Sequence, residues 1–167
     1  MERITKDITE PKLIKVQSIS DDRGLLVPFT DHIDHDLFHR CYLVEDYGKD
    51  VIRGLHYHKL EMKIFTIASG SAKFITLKLP EDFADRNNTR EIENYIKENP
   101  SCVKSWVLSS RHHGVLVIPP YYANGWVSLE DHTVLTSLSN LRFEEAMGDD
   151  IRIDPYVVGD EWSVKGR

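Results

Sequence analysis

Short runs in which hydrophobic and polar positions alternate with a period of two, or which are apolar throughout, recur along this chain, and Gly, Pro or Asp repeatedly interrupt them. That period places every second side chain of an extended strand on one face. Residues 11–18 alternate in this way and predict a first strand. A turn follows at Asp21-Asp22-Arg23-Gly24, and then the apolar run Leu25-Leu26-Val27-Pro28-Phe29. Its proline, which cannot donate to a ladder, predicts a strand at a sheet edge. Residues 30–37 are polar and hold His32 and His35, so they predict a loop, while Arg40-Cys41-Tyr42-Leu43-Val44 predicts a short strand. Further strands are expected at 51–58, 64–67, 73–79, 103–108, 114–118 and 133–138. In 73–79, Ile75, Leu77 and Leu79 share one face and Thr76 and Lys78 the other. Pro119-Pro120-Tyr121-Tyr122-Ala123-Asn124-Gly125-Trp126 is expected to connect the last two strands, and a short apolar segment with Ile151 and Ile153 lies in the tail.

Residues 80–100 change the rhythm. Ile92, Tyr95 and Ile96 recur at helical spacing ahead of Pro100, which predicts one helix over 89–99. Short strands with Gly/Pro/Asp turns and one short helical insertion predict an all-β sandwich or barrel rather than a βαβ fold. No repeat, low-complexity tract or linker divides the chain, so 1–167 reads as a single domain.

Composition narrows the function classes. With 167 residues, 41% of them hydrophobic, the chain is long enough to bury a core without covalent staples. A net charge of −6 argues against nucleic-acid binding, which needs clustered Lys and Arg, but leaves room for a small phosphorylated ligand. Cys41 and Cys102 are too few for a disulfide framework or zinc knuckle. There is no apolar stretch of signal-peptide or membrane-spanning length, so a cytoplasmic protein without a membrane partner is expected.

The chemistry concentrates in Val51-Ile52-Arg53-Gly54-Leu55-His56-Tyr57-His58. On a strand His56 and His58 face the same side and Tyr57 the other. Such a pair serves a metal site, acid–base chemistry or an ordinary polar surface. A jelly roll of this size raises the cupin fold, whose metal-binding members carry His-x-His, then Glu, then Gly, and later a third His. Here His56-x-His58 and Gly70 keep that spacing, but the glutamate position is Lys63 and the third histidine is Asn124. Glu61 lies nearby with the wrong strand parity to take the vacant role. An ammonium in place of a carboxylate opposes a divalent cation, so neither metal nor cofactor is expected. A histidine and a lysine lining one interior instead suit enolisation, which needs a base near neutral pKa and a positive group beside the developing enolate oxygen.

Arg53-Gly54-Leu55-His56-Tyr57 resembles the signature of the dTDP-4-dehydrorhamnose 3,5-epimerase family, metal-free cupins acting on nucleotide-linked 4-keto sugars. Asp22-Arg23-Gly24, Lys63, Ile118-Pro119, Ala123-Asn124-Gly125-Trp126, Asp154-Pro155 and the Trp162-Ser163-Val164-Lys165 tail extend the resemblance over most of the chain. It implies a cupin jelly-roll barrel and a homodimer that adds an N-terminal strand to the partner's sheet. It also implies epimerisation at C3 and/or C5 in deoxysugar and surface-polysaccharide biosynthesis. His56 would be the base, Lys63 would stabilise the enolate, and Arg23 and Arg53 would hold the nucleotide sugar, with Tyr121 and Asn124 also contacting it. The family's opposite-face tyrosine aligns with Thr136 and the carboxylate partnering its base with Gly166, so both are missing. Tyr121 and Tyr122 are the local candidates for a substitute acid.

A second resemblance competes. Arg40-Cys41-Tyr42 with Arg53-Gly54-x-His56-x-His58-Lys59 is similar to the 4-keto-6-deoxyhexose 3,4-ketoisomerases, which use paired histidines to move protons on one face of the sugar. In that reading His58 is catalytic too. A non-catalytic sugar-nucleotide binder is the third reading. Trp106, Trp126 and Trp162 are expected in the core, and His112-His113 in a solvated turn.

Overall fold

The computed structural model describes residues 3–164. Its strands are β1 (Lys12–Lys15), β2 (Ile19–Asp21), β3 (Gly24–Leu26), β4 (Arg40–Asp46), β5 (Ile52–Tyr57) and β6 (Lys63–Ser69). They continue with β7 (Ser71–Lys78), β8 (Val103–Ser109), β9 (Gly114–Ile118), β10 (Tyr122–Ser128), β11 (Thr133–Ser139) and β12 (Ile151–Arg152). One sheet runs β1-β9-β6-β11-β4 and the other β12-β5-β10-β7-β8, while β2 and β3 form a separate hairpin. Every ladder between these strands is antiparallel.

The sheets do not close into the expected barrel. β1 and β4 end one sheet, β12 and β8 end the other, and among the described residues no ladder joins the two. The result is a jelly-roll sandwich with a gap between the β4 and β12 edges.

Strands β7, β9, β10 and β11 are covered on both faces, which is why β9 reads as a continuous apolar run rather than an alternating one, while β1, β4 and β8 expose many of their outward positions. Phe65, Ile67, Phe74, Trp126 and Leu135 fill the space between the sheets. On the outside of one sheet, Leu55, Tyr57, Ile75, Leu77 and Val127 pack under Ile92 and under Val157, Val158 and Trp162 of the C-terminal 3-10 segment. On the outside of the other, Ile64, Val115, Val117 and Leu138 meet Ile4, Ile33 and Leu37 from the N-terminal region. The tryptophans thus fall in or beside the core, as expected, with Trp126 and Trp162 buried and Trp106 packed against it. His112 is exposed at the turn before β9.

Three expectations about elements change. Residues 80–100 hold two helices, α1 (Glu81–Arg86) and α2 (Thr89–Glu98), followed by a 3-10 turn at Pro100–Cys102. The Asn88 side chain accepts the Glu91 N–H and starts α2, a cap the helical periodicity does not reveal. A third helix, α3 (Phe143–Gly148), stands where no helical pattern was evident, and it bridges the gap between β11 and β12. Finally, Tyr122–Ser128 is a fully buried strand and not a connection. Its Asn124-Gly125 pair looks like a turn, yet the glycine is there for close approach. A Cβ on Gly54, at φ +116°, would lie 2.7 Å from the Cα of Gly125 on the neighbouring strand. Among the described residues no helix is long and apolar enough to cross a membrane.

Candidate active site

Beyond Phe65 and Trp126 the space between the sheets opens into a cavity of about 630 Å³. One wall is β5 with the turn after it, which supplies Arg53, His56 and His58. The facing wall supplies Tyr42 and Val44 from β4 and Lys63 and Phe65 from β6. Phe143 and Met147 of α3, with Asp150 and Arg152, form the rim.

The two histidines share a face, as the alternation predicts. Their rings are parallel to within 4° with centroids 6.4 Å apart, while Tyr57 is fully buried on the opposite side of the strand. Their surroundings differ. His56 Nδ1 lies 2.8 Å from Asp150 Oδ1. Burial raises the Asp150 pKa, but the hydrogen bond and charge of His56, aided by His58 and Arg152, outweigh it and bring the carboxyl to about 2. An ionised Asp150 accepts a proton-bearing Nδ1, which leaves the lone pair of His56 on Nε2. This is the arrangement of an oriented general base.

His58 is buried, with Nδ1 3.1 Å from the Asp149 carbonyl oxygen and 3.2 Å from Glu61 Oε2. Burial, reinforced by the charge of Lys63, lowers its pKa against the opposing pull of Glu61, Asp150 and Asp149. A neutral ring that donates from Nδ1 keeps a lone pair on Nε2, and that atom is buried with no hydrogen-bond partner.

Glu61 is the main surprise of the cavity floor. It is fully buried, accepts a hydrogen bond from Ser139 Oγ at 2.5 Å, and lies 3.1 Å from Lys63 Nζ. Strand parity does not govern it, because residues 58–62 form a turn between β5 and β6. The Asp149 carboxylate clamps that turn by accepting the N–H groups of Lys59, Leu60 and Glu61 at 2.9, 2.8 and 2.8 Å. Lys63 in turn donates to the Tyr42 hydroxyl at 3.1 Å.

The remaining site residues divide. Arg53 reaches the wall, but its Nε lies 2.5 Å from Asp46 Oδ1. Asp46 is itself buried and accepts a hydrogen bond from Trp126 Nε1 at 2.9 Å. Asn124 lies opposite His56 in the β5–β10 ladder, and its Nδ2 donates to the His56 carbonyl at 3.1 Å. It therefore braces the backbone that carries the base. Arg23 sits exposed at the β2–β3 turn, paired with Asp21, and is not part of the cavity wall. Tyr121 stands outside the cavity, its ring edge-on to Tyr57 at 6.5 Å, and Tyr122 is buried in the apolar inter-sheet core. Neither tyrosine can serve as the facing acid from there.

The position assigned to the absent tyrosine also moves. Thr136 lies opposite the exposed Leu43, whereas Ser137 lies opposite Tyr42 on the cavity side. A one-residue slip in a strand reverses the face, so Ser137 is the inward position. Gly166 lies outside the described residues, and the carboxylate beside the base is Asp150. Reading the sequence for ligands missed Asp150 and Arg152, set Glu61 aside on strand parity, and gave Arg40 and the Tyr42 hydroxyl no role. The Asp149-Asp150 pair just before an apolar dipeptide was the available signal, but it gains meaning only when β12 pairs with β5 and places Arg152 opposite His56. Among the described residues no group of three or more His, Cys, Asp or Glu side chains is arranged to hold a metal ion.

Comparison with protein-family models finds no match, and neither does comparison with curated proteins. Solved structures do match. The chain is similar to a dTDP-4-dehydrorhamnose 3,5-epimerase from Bacillus anthracis, determined with TDP and pyrophosphate bound, at 20% identity and TM-score 0.71, covering 99% of this chain and 91% of that one. It is also similar to QdtA, a sugar 3,4-ketoisomerase from Thermoanaerobacterium thermosaccharolyticum in complex with TDP, at 23% identity and TM-score 0.61, covering 93% and 96%. The Mycobacterium tuberculosis rmlC epimerase matches at 20% identity and TM-score 0.70, covering 96% and 78%. At these identities the likeness shows the fold, which is the one the motif resemblance implies.

Proposed function

We propose that this protein is a metal-independent isomerase of nucleotide-linked 4-keto sugars. The observation that carries the reading is the His56–Asp150 pair aimed into a cavity whose facing wall presents Lys63. His56 Nε2 removes a proton from a carbon next to the C4 ketone, and the electron pair of the broken C–H bond moves onto the ketone oxygen. The Lys63 ammonium, held between Glu61 and the Tyr42 hydroxyl, stabilises that enolate. For an epimerase, the proton returning to the opposite face of the sugar comes from Tyr42 on the facing wall. This supplies the acid that the pattern of the Ile-Pro segment lacks. TDP and TDP-sugar complexes among the structurally similar proteins support a nucleotide-sugar substrate.

A second reading, 3,4-ketoisomerisation, is favoured by one observation. Two parallel histidines stand on one wall, and the second keeps an unpartnered Nε2. That pair suits proton transfer between neighbouring carbons on one face of the ring.

Solvent deuterium incorporation into dTDP-4-keto-6-deoxyglucose, followed by NMR, tests both readings. The expected result is exchange at a carbon next to the ketone, slowed roughly 10²- to 10⁴-fold by His56→Ala. Exchange at C3, at C5 or at both with inversion supports the epimerase, and transfer of the keto group to C3 supports the ketoisomerase. Absence of exchange with dTDP-, UDP- and GDP-linked 4-keto sugars, in folded protein that still binds them, leaves a non-catalytic binder.

The β2–β3 hairpin exposes Ile19, Leu25 and Leu26 with Arg23 at its turn, which supports a homodimer in which the hairpin docks on a second copy. The ligand-holding role expected of Arg23 requires such a partner. Both cysteines are free, in keeping with a reducing, cytoplasmic setting.

A further inference from the structure

The cavity wall carries Arg40, Arg53, Lys63 and Arg152, and all but one of these cations face a carboxylate. Arg53 is held by Asp46 at 2.5 Å, Lys63 by Glu61 at 3.1 Å and Arg152 by Asp150 at 3.5 Å. Arg40 has no carboxylate within 4.0 Å among the described residues. What fixes it is aromatic. Its Cζ lies 4.4 Å from the Tyr42 ring centroid and 5.0 Å from that of Phe143.

A guanidinium held over aromatic rings keeps its charge and its five N–H donors, because the rings offer it no carboxylate or carbonyl oxygen. The rings therefore fix the position of Arg40, and no hydrogen bond from its side chain is formed among the described residues. The cavity thus presents one pre-positioned cation with a free donor edge. Tyr42 joins it to the reaction centre, since the same tyrosine accepts a hydrogen bond from Lys63. In a nucleotide-linked sugar the diphosphate is bonded directly to the hexose ring. The side chain that binds the phosphates must then lie beside those that act on the ring.

We infer that Arg40, rather than Arg53 or Arg23, is the residue that binds the diphosphate of the ligand, fixed for that task between Tyr42 and Phe143. The inference rests on the nucleotide-sugar reading of the site for the identity of the anion, and on the pairing of the other cations for the choice of residue.

Titration calorimetry with inorganic pyrophosphate, dTDP and thymidine, on wild type and on the Arg40→Met, Arg40→Lys and Arg53→Met variants, tests it. A thermal melt confirms folding in each case. Arg40→Met should weaken pyrophosphate and dTDP binding roughly tenfold to a hundredfold, the range for losing a charged hydrogen-bond donor, and leave thymidine binding unchanged. Arg40→Lys should recover only part of the loss, because a point charge lacks the planar fork. Equal binding of dTDP by wild type and Arg40→Met overturns the inference. So does a larger loss in folded Arg53→Met than in Arg40→Met, or wild-type protein that binds neither pyrophosphate nor dTDP. The deuterium experiment fails separately. Arg40-dependent pyrophosphate binding without any exchange would uphold the inference while removing the isomerase reading.

Discussion

The two ends of the inter-sheet space share strands β6 and β10 and serve opposite purposes. At one end Phe65, Phe74 and Trp126 meet with ring centroids 5.3–5.9 Å apart, beside Ile67 and Leu135. At the other, β5, β6 and β10 turn His56, Lys63 and Asn124 inward and hold a cavity open. β6 contributes Lys63 and Phe65 two residues apart on the same face, so the boundary falls between neighbouring inward positions of one strand. Along β6 the strand runs unbroken through this boundary, so there side-chain chemistry separates the packed end from the reactive one.

Hydrogen bonding marks the same boundary. Among the described residues, the buried side-chain polar atoms without a hydrogen bond are His58 Nε2, Glu61 Oε2 and Ser137 Oγ. His58 and Glu61 line the cavity and Ser137 stands beside it, between Tyr42 and Phe65 in the sheet, although Glu61 Oε2 does have the His58 ring as an ionic neighbour at 3.2 Å. Folded proteins rarely leave such groups unmatched, and a site that must bind a polar ligand is one place where they persist.

If the two ends are separable, substitutions should dissociate stability from chemistry. The largest effect is expected from Phe74→Ala, which removes a fully buried ring from the packed end and should cost about 3–5 kcal/mol of stability in urea unfolding. The folded variant should still exchange deuterium at close to the wild-type rate, and a loss of exchange in that variant would break the division. Asp150→Asn should do the converse. It preserves shape but no longer holds His56 in the base-competent tautomer, so exchange should slow on the order of 10²-fold, with little change in the urea midpoint.

The smallest effect is a pH dependence that sharpens the contrast. Burial holds the His58 pKa below its usual value of 6.5, so below that pH the unfolded chain binds a proton that the folded protein resists. Stability should therefore decline as pH falls from about 7.5 to 5.5, and His58→Gln should flatten that decline. Asp150 does not confuse the measurement. Its lowered pKa contributes stability above the ordinary carboxylate range, and this is lost only as pH falls toward about 2. A decline of the same size in wild type and His58→Gln would show that His58 is not the group responsible.

What the amino-acid order settled by itself is what depends on near neighbours. Alternation and short apolar runs marked most strands, and alternation determined the shared face of His56 and His58 and the opposite burial of Tyr57, because side-chain direction in a strand follows from the backbone alone. The lysine at the glutamate position pointed to proton chemistry in the same local way. The inter-sheet partners came only from tertiary structure. Asp150 reaches His56 from 94 residues away, through a two-residue strand too short to announce itself. Glu61 enters the cavity because a clamped turn, and not a strand, carries it. Arg53 looked free in the sequence and is matched by a buried Asp46, while Arg40 looked ordinary and is the guanidinium held in place by Tyr42 and Phe143 without a carboxylate. A charge is available for binding only if no opposite charge folds against it, and that depends on pairings between segments distant in sequence, which periodicity does not encode.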